Sequence, residues 1–173
     1  MKKIAVVLAS LLIAACATAP KSAPPQTALT GDKAASSTEN TTTATVSAAE
    51  IESKKLAAEI QKLQQQSVYF DYDKFSVKAE YQDVIQKQAQ FIKDHKNDVV
   101  TLEGNADERG SNEFNLALGD ERAKAVKKEL EMLGVPSTQI KVISLGDEKP
   151  RLSCHEEKCW KENRRDDFVH KFN

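Results

Sequence analysis

A segment that cannot build a core separates the two ends of this chain. From Ala17 to Ser47 most residues are Ala, Thr, Ser or Pro, and only Leu29 and Val46 carry large aliphatic side chains. Such a composition buries too little apolar surface to offset the backbone entropy that folding removes. We therefore predict a disordered linker over residues 16–47, which restricts a folded domain to the C-terminal part of the chain.

The first fifteen residues have the pattern of a secretory signal peptide. Two lysines precede an apolar stretch over residues 4–14, which is too short to span a bilayer as a helix. Two alanines and Cys16 follow, and this run resembles a bacterial lipobox, although an ordinary signal with a chance cysteine is the alternative. We expect residues 1–15 to be removed and Cys16 to carry fatty acyl chains such as palmitate. Because Ala17 follows the cysteine, we expect an outer-membrane lipoprotein whose domain faces the periplasm.

The overall composition argues against two classes of protein. The chain has 25 Lys and Arg against 26 Asp and Glu, which gives a formal net charge of −1. Binding of nucleic acid depends on a clustered basic surface, so we expect no nucleic-acid partner. No stretch of the sequence is apolar for the length that a membrane-spanning helix needs.

The C-terminal part alternates between strand and helix patterns. Residues 48–66 predict a marginal helix that leads into the domain, with an apolar stripe of Leu56, Ile60 and Leu63. Residues 67–173 then predict one α/β (α+β) domain, a small mixed sheet with helices packed on it in the order β-α-β-α-β-(α)-β. The strands are predicted at 68–70, 99–102, 140–145 and 168–172, and the helices at 77–95, 112–133 and 159–165.

The longest predicted helix has clear end signals. Ser111 is expected to cap its N-terminus, and Gly134 is expected to end it. Its inward face is predicted to hold Leu118, Val126, Leu130 and Leu133.

The loop between the second strand and this helix is the strongest candidate for a ligand site. Asp107 lies near the helix N-terminus, where a carboxylate is favoured, and Arg122 projects from the same helix. A carboxylate that accepts from an ammonium and a guanidinium that binds a carboxylate would together hold a zwitterion such as an amino acid. An ordinary Asp107–Arg122 salt bridge is the competing interpretation.

Four blocks of the sequence resemble the OmpA C-terminal-like domain family. They cover Tyr69–Lys74, Glu103–Gly110, Asn115–Ala123 and Asn163–Arg165. The lipobox, the linker and the Asp-Glu-Arg-Gly run together resemble lipoprotein members of that family. The resemblance implies a non-enzymatic domain over residues 67–173 that needs no cofactor and binds peptidoglycan non-covalently through the diaminopimelate of its stem peptide. It also implies the TolB partner of the Tol system and a role in envelope integrity and cell division.

The resemblance also assigns residues to the site. It implies that Asp107 meets the ammonium of diaminopimelate and that Arg122 meets its carboxylate. Further pocket residues are implied at Tyr72, Asp73, Asn115 and Leu118, although Leu118 also fits the core. Asp71 and Arg109 are weaker candidates that could instead order their turns, and Arg164 is expected to have a structural role beneath the site.

The sequence leaves two other functions open. One is an OmpA-like wall-binding lipoprotein that has no Tol partner. The other is a metal-assisted peptidoglycan hydrolase, which would need a ligand set or a nucleophile beside a base. The three histidines (His95, His155 and His170) lie in no such motif.

Several positions depart from the usual pattern of the family. Asn105 and Ala106 stand where His-Thr is frequent, and Gly119 stands where Ser is frequent. Asp166 and Asp167 suggest that the last strand begins late. Cys154 and Cys159 also depart from the family pattern. In an oxidising periplasm two cysteines this close most simply form a disulfide, with a metal site that uses His155 and His170 as the alternative.

Overall fold

The computed structural model of the chain describes residues 47–173. The predicted signal peptide, the lipidation site Cys16 and almost all of the predicted linker lie outside the described residues. Within residues 47–173, no helix combines the length and the apolar character that crossing a membrane requires.

Four helices and four strands follow one another along the described part of the chain. The helices are α1 (Ala48–Gln64), α2 (Gln82–Asp94), α3 (Asn112–Met132) and α4 (Glu157–Asn163). The strands are β1 (Ser67–Tyr69), β2 (Asp98–Asn105), β3 (Ile140–Gly146) and β4 (Arg165–Phe172). The predicted fold class is confirmed, because these elements form a mixed four-stranded sheet with helices packed against it.

The sheet brings together segments that are far apart in the sequence. Its strand order is β1-β4-β2-β3, with β2 and β3 parallel and the other two pairs antiparallel. The core lies between the sheet and the helices α2 and α3, and its fully buried side chains include Ile85, Leu102, Val126, Leu130 and Phe168. Because β2 and β3 are parallel neighbours, their carboxyl ends lie at the same edge of the sheet, beside the start of α3.

The residues predicted to cap and to end α3 do so, but fewer of its side chains face the core than predicted. The Ser111 hydroxyl accepts a hydrogen bond from the Phe114 backbone N–H, and Gly134 has a φ of +86° just after the helix. Leu133 packs at the margin of the core. The prediction that Leu118 faces inward is wrong, because it is only half-buried and lies outside the core cluster.

Two strands extend beyond their predicted limits. β2 continues through Gly104, since the missing side chain there lets the strand approach Gly119 of α3 closely. The expectation that the last strand begins late is wrong, because β4 begins at Arg165 and Asp166 pairs with both Val68 and Gly104. Hydrogen bonding to a strand on each side decides the limits of β4, despite the two consecutive carboxylates.

Helix α1 occupies most of the segment 48–66 and contacts the domain mainly through its last turn. Leu63 is buried, and its carbonyl accepts a hydrogen bond of 2.9 Å from the Gln88 amide. The side-chain oxygen of Gln88 lies 2.8 Å from Nε2 of His170. The other ring nitrogen of His170 lies 2.7 Å from the Asp98 carboxylate. A buried polar chain thus connects α1 to α2, β4 and β2.

A disulfide links Cys154 to Cys159, whose Cα atoms are 5.7 Å apart. His170 belongs to the buried chain under α1, so it does not join His155 and the cysteines in a metal site. No group of three or more potential metal ligands occurs among residues 47–173.

Candidate functional site

The candidate site lies at the sheet edge where β2 ends. The residues after β2, the turn after β1, the first half of α3 and the start of α4 all converge there. Asp107 enters from β2, and Arg122 enters from the buried side of α3.

Asp107 is buried and carries a complete set of hydrogen bonds. Arg109 donates to it three times, from the backbone N–H (3.1 Å) and Nε (3.0 Å) to Oδ1, and from Nη2 (2.6 Å) to Oδ2. Arg164 donates from Nη1 to Oδ2 at 3.1 Å. Burial alone would raise the pKa of Asp107, but the bonds from Arg109 and Arg164 outweigh it and hold the pKa below its usual value. Asp107 is therefore a carboxylate at neutral pH.

Arg122 is fully buried and binds three backbone carbonyls. Its Nε donates to Lys74 O (2.9 Å), its Nη1 to Asn105 O (2.7 Å) and its Nη2 to Asp71 O (3.2 Å). Burial and the nearby Arg164 lower the pKa of Arg122 to about 10, so it keeps its charge at neutral pH.

The two charged groups share the site without pairing. Arg122 Nη1 bonds to the carbonyl of Asn105, two residues before Asp107, yet no hydrogen bond or ion pair joins Arg122 to Asp107. The interpretation of these residues as a simple salt bridge is therefore wrong. Each group is held by its own partners, so neither neutralises the other directly.

Arg109 lies between two aromatic rings. Its guanidinium carbon is 4.0 Å from the centre of the Tyr72 ring and 4.1 Å from the Trp160 ring. The Trp160 indole N–H donates to Glu108 at 2.8 Å, and His155 Nδ1 lies 2.7 Å from the same carboxylate. Hydrogen bonds from Trp160 and His155 lower the pKa of Glu108.

Sequence reasoning missed Trp160 and Glu108 as parts of this site. Trp160 follows Cys159 of the disulfide, outside the blocks that resemble the family, and more than fifty residues separate it from Arg109. A lone tryptophan beside a predicted short helix was the one available signal. Arg109 was a weaker candidate in the sequence, yet it contacts Asp107 and both aromatic rings.

The other candidate residues are divided between four places. Asp73 and Leu118 line a small apolar pocket of about 220 Å³, together with Phe75, Phe114, Ala117 and Glu121. Asp73 belongs to the turn after β1, and its backbone φ is +55°. Tyr72 faces Arg109, whereas the Asp71 carboxylate is exposed and forms an ion pair of 2.7 Å with Lys78.

Asn115 is buried under the turn that carries Arg109 and lies close to Gly110. Its Nδ2 finds no hydrogen-bond partner among the described residues. The neighbouring Asn105 donates to the carbonyl of Glu103, while its side-chain oxygen has no partner within the same part of the chain. The site therefore retains unused polar atoms beside its charged groups.

Arg164 supports the site from below. It is buried, and it donates to Phe70 O at 3.1 Å as well as to Asp107. Glu157 completes its contacts with an ion pair of 2.5 Å. These bonds connect β1, β2 and α4, and this position beneath Asp107 agrees with the structural role expected for Arg164.

The sequence is similar to a group of bacterial envelope proteins. The peptidoglycan-associated lipoprotein of Agrobacterium fabrum is 46% identical over 98 residues, which are 57% of this chain and 55% of the relative. That of Pasteurella multocida is 42% identical over 108 residues, which are 61% of this chain and 72% of the relative. The chain thus spans little more than half the length of the Agrobacterium relative. The names of these relatives describe association with peptidoglycan.

Solved structures have the same fold. The crystal structure of the peptidoglycan-associated lipoprotein from Burkholderia pseudomallei matches 61% of this chain and 90% of its own, with a TM-score of 0.60 and 47% identity. The C-terminal domain of Helicobacter pylori MotB shares the fold alone, with a TM-score of 0.58, 19% identity, and coverage of 62% of this chain and 85% of its own. The OmpA family itself matches residues 69–164, which contain the β2 edge, Asp107 and Arg122. The chain therefore belongs to the OmpA family, and it is similar to members named peptidoglycan-associated lipoprotein.

Proposed function

We propose that this chain binds peptidoglycan non-covalently by holding the free amine and carboxylate of a diaminopimelate residue in the stem peptide. The observation that carries the proposal is that Asp107 and Arg122 are both buried at one sheet edge and do not pair. A zwitterionic carbon between them would bring an ammonium to Asp107 and a carboxylate to Arg122. The names of the Agrobacterium and Pasteurella relatives support peptidoglycan as the source of that group.

Arg122 retains donors for a ligand. A guanidinium has five N–H groups, and three of those of Arg122 go to backbone carbonyls. The two others, one on each terminal nitrogen, have no acceptor among the described residues and are the donors that we assign to the ligand carboxylate.

The pocket beside Asp73 and Leu118 supports the same ligand class. Phe75, Phe114 and Ala117 give it an apolar lining, which suits the methylene chain of diaminopimelate. In this proposal Tyr72, Asp73, Asn115 and Leu118 line the bound residue.

We extend the proposal to the envelope. Residues 1–15 would be the signal peptide, Cys16 the lipid anchor in the outer membrane, and residues 16–47 the linker to a periplasmic binding domain at 67–173. The protein would then tether the outer membrane to the wall, within the Tol-Pal system and with TolB as partner. The similarity to peptidoglycan-associated lipoproteins supports this assignment.

Cosedimentation with purified cell walls tests the binding. The chain from residue 16 onward, with Cys16→Ser to prevent lipidation, is centrifuged with walls that contain diaminopimelate and with walls that contain lysine instead. Wild type is expected to pellet only with the first. Asp107→Asn should lower the affinity about 10- to 100-fold, which corresponds to the loss of a charge-assisted hydrogen bond.

A matched control removes a carboxylate elsewhere on the same domain. Asp120 lies on α3 and pairs with Lys124, so Asp120→Asn should bind walls like the wild type. Equal pelleting of the Asp107 and Asp120 variants, both shown to be folded, would contradict the proposal. Capture of TolB by the immobilised chain tests the Tol assignment separately, and its failure would favour a wall-binding lipoprotein without a Tol partner.

A further inference from the structure

We propose that Arg109 is an intramolecular competitor for Asp107, and that it sets the affinity of the site for the ammonium of its ligand. This inference rests on the proposed function.

The Asp107 carboxylate has no free acceptor position. An ionised carboxylate offers about four lone-pair sites. Three of them accept from Arg109, and the fourth accepts from Arg164. A ligand ammonium can therefore reach Asp107 only when one of these donors leaves.

Arg109 is the donor that can leave. Its side chain is 30% exposed, whereas that of Arg164 is 6% exposed and also holds Phe70 O and Glu157. Apart from Asp107, the one ion pair of Arg109 within the described residues is a 3.7 Å contact with Glu157, which is exposed to solvent. Moving Arg164 would break buried contacts between three elements, whereas moving Arg109 breaks contacts of a side chain that is already partly exposed to solvent.

The two aromatic rings determine how readily Arg109 moves. The Arg109 guanidinium lies over the rings of both Tyr72 and Trp160 and is stabilised by two cation–π contacts. Trp160 is itself held by its hydrogen bond to Glu108 and by its place in α4 next to the disulfide. The stack therefore keeps Arg109 over Asp107 in the unliganded protein.

Binding is then an exchange of one cation for another. The ligand ammonium replaces the Arg109 guanidinium at Asp107, and the measured affinity is the difference between the two interactions. Removing Arg109 should strengthen binding, and loosening it should strengthen binding to a smaller extent.

Calorimetric titration with the soluble tripeptide L-Ala-γ-D-Glu-meso-diaminopimelate tests this. The Cys16→Ser chain from residue 16 onward is compared with Arg109→Ala and Trp160→Leu. The affinity should rise about tenfold in the first variant and about threefold in the second. Lys158→Ala is the matched control, because it removes an exposed cation from α4 without contact to Asp107, and it should bind like the wild type.

A double-mutant cycle separates competition from a general change in structure. In an Asp107→Asn background there is no carboxylate to compete for, so adding Arg109→Ala should bring no gain. Unchanged or weaker binding by Arg109→Ala would overturn the inference and make Arg109 a ligand contact or a structural residue. Absence of binding in wild type, Arg109→Ala and Trp160→Leu alike would instead overturn the proposed function together with it.

Discussion

Asp166 is a carboxyl group that this fold should be more stable without. It lies in the middle of the sheet, where β4 pairs with Val68 on one side and Gly104 on the other, and it is fully buried. Neither of its side-chain oxygens has a hydrogen-bond partner among the described residues. Burial, followed by the charges of Asp167 and Glu103, raises the pKa of Asp166 well above its ordinary value.

The size of the effect follows from this environment. A buried polar group without a partner costs about 1–3 kcal/mol even when it is neutral, so Asp166→Ala should raise the free energy of unfolding at pH 7 by at least that amount. Asp166→Asn keeps a polar group of the same shape but removes the ionisable proton. It should therefore retain most of the desolvation cost while it abolishes the dependence on pH.

The dependence on pH has a defined sign. Above about pH 4 the unfolded chain releases the Asp166 proton while the folded chain keeps it, so the folded state binds more protons. The destabilisation by Asp166 is therefore smallest below the unfolded pKa, and it grows as the pH rises towards the raised folded pKa. The difference between Asp166→Asn and wild type should grow with pH, by at most about 1.4 kcal/mol per pH unit.

Urea unfolding of the three proteins between pH 4.5 and 8 measures these differences. Asp167→Asn is the matched control, because the neighbouring carboxylate accepts from Ser67, Arg151 and Arg165 and its removal should destabilise the domain. A lower stability of Asp166→Ala at pH 7 would refute the argument. So would parallel pH profiles of Asp166→Asn and wild type.

Two further predictions concern packing. Gly104→Ala should lower the free energy of unfolding by about 3 kcal/mol or more, because a Cβ there collides with the backbone of Gly119. Thermal or urea unfolding measures this loss, and near wild-type stability would contradict the close approach of β2 and α3. Gln88→Met should loosen the last turn of α1, since the Leu63 carbonyl and His170 each lose a hydrogen-bond partner; hydrogen exchange should quicken in α1 while β2 stays protected, and unchanged exchange in α1 would contradict the link.

Local chemistry made part of the fold predictable. The Ser111 cap and the Gly134 stop depend on neighbouring residues alone, and both were correct. The start of β4 was not predictable in this way. Asp166 and Asp167 are poor strand residues on their own, and their pairing with two strands fixed their conformation.

The site likewise combines features that neighbouring residues indicate with features that only the folded chain produces. The charges of Asp107 and Arg122, with the place of Asp107 near a helix start, indicated them as candidates, and the fold brings both to one sheet edge. Arg122 binds two carbonyls of the turn after β1, a contact that sequence spacing does not reveal. The stack of Arg109 on Trp160 joins segments about fifty residues apart and required the structure.

The position of β4 in the sheet constrains the order in which the domain can assemble. It is the last of the described strands along the chain, yet it lies between β1 and β2. During synthesis or translocation, β1 and β2 must therefore wait with unpaired backbone groups until the segment after α4 has emerged. Assembly is governed by contacts between residues 62 to 100 positions apart, which slows folding and prolongs exposure of strand edges. A nascent chain that stalls before Arg165 would lack its central strand, and it would be a natural target for chaperones or proteases.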